Sequence, residues 1–328
     1  MCTSVLYNNQ GIAYFGRNLD LQYAMGNSVV VAPRNYPFKF NEIDDIDTHA
    51  AMVGMAIIQD DYPLFFEGVN EYGVGVAGLN FSGEGFCKYS PVKEEGKANV
   101  TSFELIPYLL AHSKSLADVK KLAENMNIRD TSFSPKYQAS PLHWMASDKT
   151  GSIVIEQTAD GLHVYDNSLN VLTNQPTFLS QYYNFCNYLN LTAKYPTNRI
   201  AADDQIEIYG TGMGSNGLPG GLSSVERFVR AGFTTANSMA KKTDEDTLTQ
   251  YFHIMQSVAQ SNGCDQTSDM LYEITLYTSG ANLETFDFYW TTYENQRING
   301  LHTRDLDLDS TKLFDFPVSL KQDVNFIE

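Results

Sequence analysis

The sequence predicts an α+β fold, two packed sheets covered by helices on their outer faces, and three observations lead to it. Residues 1–90 are dominated by short apolar and β-branched runs separated by turn signals. Residues 102–126 switch to helical spacing, and strands and helices then recur in blocks instead of alternating as βαβ units. In chain order, the first block holds strand-like runs at Thr3–Tyr7, Ile12–Phe15, Ser28–Ala32, Ala51–Ile58, Leu64–Phe66 and Gly73–Phe81. Two helices follow, with Phe103, Ile106, Leu109 and Leu110 as one apolar stripe and Leu116, Val119, Leu122 and Ala123 as another. A second strand block covers His143–Ala146, Ser152–Glu156, His163–Asp166 and Asn170–Leu172, with Asp160-Gly161 suited to a hairpin turn. Helices are expected over 224–240 and 247–259, before strands return at Tyr272–Thr278 and Phe286–Thr292. No Pro/Ser-rich tract, repeat or low-complexity block divides the chain, so residues 1–328 read as one domain.

The 328 residues carry 22 Lys+Arg against 39 Asp+Glu, a net charge of −17. Such acidity repels polyanions at long range and excludes nucleic acid and anionic membrane surfaces as partners. An apolar fraction of 43% suffices for a large core, and 20 Tyr and 19 Phe against 2 Trp suit pockets with an apolar wall and a polar rim. Uncharged apolar stretches such as Ser28–Pro33 are too short to span a bilayer, and no basic start precedes one. Cys2, Cys87, Cys186 and Cys264 show no CxxC spacing, so a reduced, cytoplasmic setting is expected.

Two motifs mislead. Gly212-Met213-Gly214-Ser215-Asn216-Gly217 matches GxGxxG after the strand-like Gln205–Tyr209, but Leu218-Pro219-Gly220-Gly221 delays any helix to about Ser224. A dinucleotide site needs the helix to begin at the glycines, so this is read as a Gly-rich loop. Asp305-Leu306-Asp307-Leu308-Asp309 opens like a calcium loop, yet lacks the loop's glycine and has Phe316 where the bidentate glutamate belongs. It is read as an edge strand with its charges in water. The six histidines show no ligand spacing, so no metal is indicated.

The chain start carries chemistry. By frequency a cysteine in such a chain is a small buried hydrophobe. If Met1 is removed, however, Cys2 bears a free amine beside its own thiol, and that amine can act as the general base. Phe15-Gly16-Arg17-Asn18-Leu19-Asp20 follows a strand that would pair with the first one. There Arg17 can lower a thiol pKa and Asp20 can hold an ammonium, although such pairs are usually surface ion pairs of little worth. Ser223 and Glu226 form a capping-box pattern, which sets Arg227 in the first helical turn, where the macrodipole disfavours a cation. A cation in a locally unfavourable place is a functional candidate.

Met1-Cys2-Thr3, Phe15–Asp20, Ala77-Gly78-Leu79-Asn80-Phe81, Leu172-Thr173-Asn174-Gln175-Pro176 and Gly217-Leu218-Pro219-Gly220 with Ser223-Ser224 and Arg227-Phe228-Val229-Arg230 resemble, in order and spacing, the choloylglycine hydrolase family. That family comprises bile salt hydrolases and penicillin V acylases, which are N-terminal nucleophile hydrolases. The resemblance runs over essentially the whole chain, including Pro141-Leu142-His143-Trp144 and Ser152–Glu156. It implies a four-layer αββα sandwich of two mainly antiparallel sheets, commonly assembled as a homotetramer. It also implies that Cys2 is the nucleophile and its amine the base, that Arg17 stabilises the thiolate and Asp20 orients the amine. Asn174, through its side-chain amide, and Asn80, through its backbone N–H, would form the oxyanion hole, and Arg227 would support the charged centre.

The implied reaction is hydrolysis of the amide joining a bile acid to glycine or taurine, through a thioester and without cofactor or metal. Asn80 favours conjugated bile salts as partners over penicillin V, because the acylases tend to carry an aromatic residue there. Leu19, Phe66 and Phe133 are candidates for an apolar wall around the steroid. These substrates are anions, so the acidic chain needs local cations such as Arg17 and Arg227. Two alternatives remain open: a penicillin V acylase of the same family, and a catalytically silent binding protein whose Met1 is never removed.

Overall fold

Consecutive side chains of the first strands point to opposite faces and nearly all are buried, so the sheet they start must be covered on both sides. The computed structural model describes residues 1–199 and 206–327. β1 (Cys2–Asn9) and β2 (Ile12–Leu21) form a hairpin that turns at Gln10-Gly11 with positive φ at both residues. β3 (Ser28–Ala32), β4 (Met52–Gln59), β5 (Tyr62–Asn70) and β6 (Gly75–Asn80) complete the first strand block. A short β7 (Ala98–Thr101) leads into α1 (Leu105–His112) and α2 (Leu116–Glu124), and β8 (Met126–Arg129) pairs back onto β7 in parallel. β9 (Leu142–Asp148), β10 (Gly151–Thr158), β11 (Gly161–Asp166) and β12 (Val171–Leu172) form the second block. Then come α3 (Phe178–Cys186), α4 (Ser224–Asn237) and α5 (Asp244–Gln256). β13 (Ile274–Asn282), β14 (Phe288–Thr292), β15 (Asn299–Leu301) and β16 (Phe314–Pro317) end the fold.

The two large sheets run β12-β1-β2-β13-β14-β15 and β11-β10-β9-β6-β5-β4-β3-β16, with every neighbouring pair antiparallel. α4 and α5 cover the outer face of the first, and α1 and α2 cover the outer face of the second. The result is the expected four-layer αββα sandwich. Val31, Val53, Met55, Leu79 and Met145 meet Leu6, Phe15 and Leu19 in the inner core, while the alternate residues Val30, Met52, Val76 and Trp144 pack under α1 and α2. Among the described residues no helix is long and apolar enough to cross a membrane.

Several local expectations shift. The β10–β11 turn uses Ala159-Asp160, and Gly161 is already paired with Thr158. α5 starts at Asp244 because Thr243 caps it, its side chain accepting from the Asp246 N–H, and three acidic residues in the first turn suit the dipole. Residues 305–309 form no strand: a 3₁₀ turn over Thr303–Asp305 and a bend occupy them, and the sheet edge is made by β16 against β3. Pro317 is tolerated there because an edge strand has one unpaired side. Of the strand-like Gln205–Tyr209, Gln205 lies outside the described residues and 206–209 is irregular. The glycine-rich stretch holds only a 3₁₀ turn at Met213–Ser215, and the next α-helix starts at Ser224, as a loop reading requires.

β13 crosses β2 so closely that a Cβ on Gly16 would lie 2.2 Å from the Ser279 carbonyl oxygen and 2.8 Å from the Tyr251 hydroxyl. Only glycine fits, and this contact sets how near β13 can come to Arg17. Gly16→Ala is expected to cost about 1–3 kcal/mol of stability by overpacking, read as a lower midpoint in denaturant unfolding with unchanged slope.

Candidate active site

Cys2 begins β1 and is paired across the hairpin with Leu19, so its side chain shares a face with Arg17 and Leu19. That face looks into the inter-sheet core, where Cys2 is 3% exposed and Arg17 1%. The Arg17 Nη2 donates to Cys2 Sγ at 2.5 Å. Its Nη1 donates to the Phe66 carbonyl at 3.0 Å and to the Gly78 carbonyl, and its Nε lies 3.9 Å from Glu67 Oε2. One guanidinium on the first sheet is therefore anchored to β5 and β6 of the second and aimed at the thiol. Burial opposes its charge, but Cys2, Tyr277, Glu67 and Asp20 outweigh burial and hold its pKa above the ordinary value.

Asp20 points to the other face of β2 and is fully buried. Its Oδ1 accepts from the Thr275 hydroxyl at 2.6 Å, while its Oδ2 is a buried oxygen with no hydrogen-bond partner. Burial raises its pKa against the pull of Arg227, the chain terminus, Thr275 and Arg17. The Met1 amine donates to the Asp20 carbonyl and pairs with Glu273 at 2.5 Å, and the Met1 carbonyl accepts from the Asp20 N–H at 2.8 Å.

Asn174 follows β12 and is fully buried. Its Oδ1 accepts from the Cys2 N–H at 2.7 Å and from Arg227 Nη2 at 2.8 Å, so its Nδ2 must face away, where it donates to the Asn80 carbonyl at 2.8 Å. Asn80 ends β6 and is half-buried. Arg227 adds bonds from Nη1 to the Cys2 carbonyl and to Thr3 Oγ1, both 2.6 Å, and from Nε to the Leu222 carbonyl. Burial pulls its pKa down, against Asp20, Cys2, Glu273 and Asp265. The unfavourable helical position is thus offset by the Cys2, Thr3 and Asn174 oxygens and by nearby acids, which the fold assembles. Ser223 caps α4 as expected, but Glu226 accepts from the Ser223 hydroxyl instead of reaching back to a backbone N–H.

The structure brings Cys2, Arg17, Asn174 and Arg227 into one hydrogen-bonded group, with Asp20 beside the chain start and Asn80 on Asn174. Leu19 lines the same inner core, and Phe66 packs partly against it while lending its carbonyl to Arg17. Phe133 is elsewhere: it packs among Tyr62, Phe103 and Tyr137 on the outer side of the second sheet, with the core beneath α1 and α2. Sequence reasoning missed Glu67, Thr275 and Glu273. A lone acid inside a strand pattern, as at Glu67, is the one signal that was present.

Glu67 is 1% exposed and accepts from Tyr277 and Ser279 hydroxyls at 2.7 Å each. Burial pushes its pKa up to about 7, against Arg17, Tyr277 and Ser279. Because the folded chain holds this proton more tightly than the unfolded one, Glu67 adds stability below its ordinary 4.5 and loses that contribution as pH rises through about 7. The melting temperature of the wild type minus that of Glu67→Gln should therefore fall between pH 4.5 and about 7 and be flat above it.

Residues 2–316 match the model of the linear amide C–N hydrolases, choloylglycine hydrolase family. The chain is 40% identical over 318 residues to a bile salt hydrolase/transferase of Lactiplantibacillus plantarum, covering 97% of each. It is 36% identical over 331 residues to one of Clostridium perfringens, covering all of both. Among solved structures, a variant of the conjugated bile acid hydrolase from Clostridium perfringens aligns over the whole of both chains with a TM-score of 0.92 at 35% identity. A penicillin V acylase from Agrobacterium tumefaciens aligns over 96% of this chain and 91% of that one with a TM-score of 0.74 at 18% identity, a likeness of fold.

Proposed function

The chain belongs to the choloylglycine hydrolase family of linear amide hydrolases, and from that premise we propose that it is a bile salt hydrolase acting through an N-terminal cysteine. The observation that carries this reading is the Cys2 thiol, buried and 2.5 Å from Arg17 Nη2, with its own backbone nitrogen 2.7 Å from Asn174 Oδ1. Nucleophile, cation and amine-holding group meet in one place. Relatives named for hydrolysis of bile salts at 40% and 36% identity support the substrate class.

Removal of Met1 converts the Cys2 nitrogen from an amide to an amine and releases the Asp20 carbonyl and Glu273 from the old terminus. The buried, unpartnered Asp20 Oδ2 suits the positive charge that this amine takes on in turnover. The amine accepts the thiol proton, and the thiolate, opposite Arg17, attacks the carbonyl carbon of the glycine or taurine amide. The oxyanion settles on Asn174 Nδ2 and the Asn80 N–H, donors held in advance by the contacts on Asn174. The C–N bond breaks as the Cys2 ammonium gives its proton to the leaving nitrogen. Water, deprotonated by the same amine, then attacks the thioester carbonyl, the C–S bond breaks, and the free bile acid departs. An amine entering in place of water would yield a new amide, a step that would suit the word transferase in the names of both relatives.

Arg17 and Arg227 are the local cations that let an anionic substrate approach a chain of net charge −17. Leu19 and Phe66 lie on the thiol's side of the sandwich and suit the steroid wall, whereas the surroundings of Phe133 give that residue the role of core filler. We place the enzyme in the cytoplasm as one catalytic domain and propose a homotetramer. Leu179, Tyr183, Leu189, Tyr195 and Tyr209 are exposed along a single stretch of chain and supply apolar area for such contacts.

Intact mass should show the active protein to lack Met1. Glycocholate and taurocholate should be cleaved faster than penicillin V, whereas turnover of penicillin V alone would replace the substrate class. Cys2→Ala should abolish turnover, and Asn174→Ala should lower kcat by about 10²–10³. Full activity in Cys2→Ala would leave only a binding role for the thiol.

A further inference from the structure

Against the chain neighbours of the two Asn residues of the site lies a buried histidine that the reaction does not use. His143 on β9 is fully buried, and its strand position pairs with Leu79, one residue before Asn80. Its ring stacks flat on Phe81, one residue after Asn80, with centroids 4.4 Å apart and planes 6° from parallel. On the other side, His143 Nε2 lies 2.8 Å from the Thr173 carbonyl, and Nδ1 lies 2.9 Å from Glu156 Oε1. A carbonyl only accepts, so Nε2 carries a proton and points it at Thr173.

The Thr173 carbonyl and the Asn174 N–H belong to one peptide unit. His143 holds its oxygen, and Ser224 Oγ accepts from its N–H at 2.9 Å. Glu156 extends the hold, since both its oxygens accept from the Phe178 N–H at 2.9 and 3.1 Å, where α3 begins. Glu156 is 1% exposed, and a buried acid and imidazole of this kind are kept only when both are hydrogen-bonded.

We propose that His143, oriented by Glu156, is the positioning residue of the oxyanion hole, clamping its two halves from β6 and from the segment after β12. The stacked face fixes the Asn80 end through Phe81, and Nε2 fixes the peptide that carries Asn174. Asn174 Nδ2 and the Asn80 N–H come from different sheets; the Asn174 Nδ2 to Asn80 carbonyl hydrogen bond joins them directly, and His143 braces the residue next to each, Thr173 on one side and Phe81 on the other. His143 touches no reacting atom. Misplacement of a catalytic donor by about 1 Å can cost about 10²-fold in rate.

This inference rests on the amide-hydrolase reading, and one experiment separates the two. Steady-state hydrolysis of glycocholate is measured beside the rate of Cys2 alkylation by iodoacetamide, a reaction that develops no oxyanion. His143→Ala should lower kcat by roughly 10–100-fold with KM within about threefold, while the alkylation rate stays within about twofold. His143→Gln, whose amide can still donate toward Thr173, should recover much of the loss. If His143→Ala does not fold, Phe81→Leu, which removes the stacked ring and leaves the hydrogen bonds, is read in the same way. A kcat within twofold of wild type, or alkylation falling in step with kcat, overturns the clamp. A wild type that cleaves neither glycocholate nor penicillin V overturns the hydrolase reading instead.

Discussion

A guanidinium removed from water between two sheets must find its hydrogen bonds and its counter-charge inside the protein. Arg17 finds carbonyls on β5 and β6, the Glu67 carboxylate beside them and the Cys2 sulfur on its own sheet. Because its partners come from both sheets, the two cannot slide relative to one another without stranding a buried cation. The same constraint sets the thiol at the sandwich centre and keeps Glu67 close enough to be held by Tyr277 and Ser279.

Arg227 does the corresponding work on the outer side of the first sheet. It reaches from α4 through to the Cys2 carbonyl, Thr3 and Asn174, so helix, strand and loop are joined at Cys2. The amide of Asn174 has no freedom to flip, since both donors on its Oδ1 would then face an NH₂ group. The polar atoms of Arg17, Arg227 and Asn174 around Cys2 are held by hydrogen bonds from several elements, which favours one arrangement over near alternatives. Asp20 Oδ2 stands apart as a buried oxygen without a partner, next to the terminus that processing would change.

Much of the fold was legible in the chain because its strands alternate or run apolar over lengths that only buried sheets need. Ser28–Ala32 appears with the expected bounds, and most other strands differ by one to three residues at an end. α3 went unseen because its nine residues are mostly aromatic and polar without a clean stripe, and its start is held by Glu156, a tertiary partner. The acidic repeat at 305–309 looked like a strand because charges alternated, but no neighbouring edge offers it a ladder. Cys2, Arg17, Asp20 and Arg227 were readable from chemistry, since each is a reactive or charged group in a place that local structure does not favour. Asn80 and Asn174 have no such signature and came from resemblance.

The amino-acid sequence by itself determined the sheet-and-helix blocks, the cysteine at the chain start and the cations near it. These follow from periodicity and from the reactivity and local placement of single side chains. Tertiary structure alone decided which groups meet. Glu67 reaches Arg17 across 50 residues, His143 reaches Thr173 and Glu156 across strands, and Phe133 is drawn to the far side of a sheet from Leu19. The physical reason is that a strand's alternation fixes which face a side chain takes, while the partner across that face is chosen by sheet order and register, which no local pattern encodes.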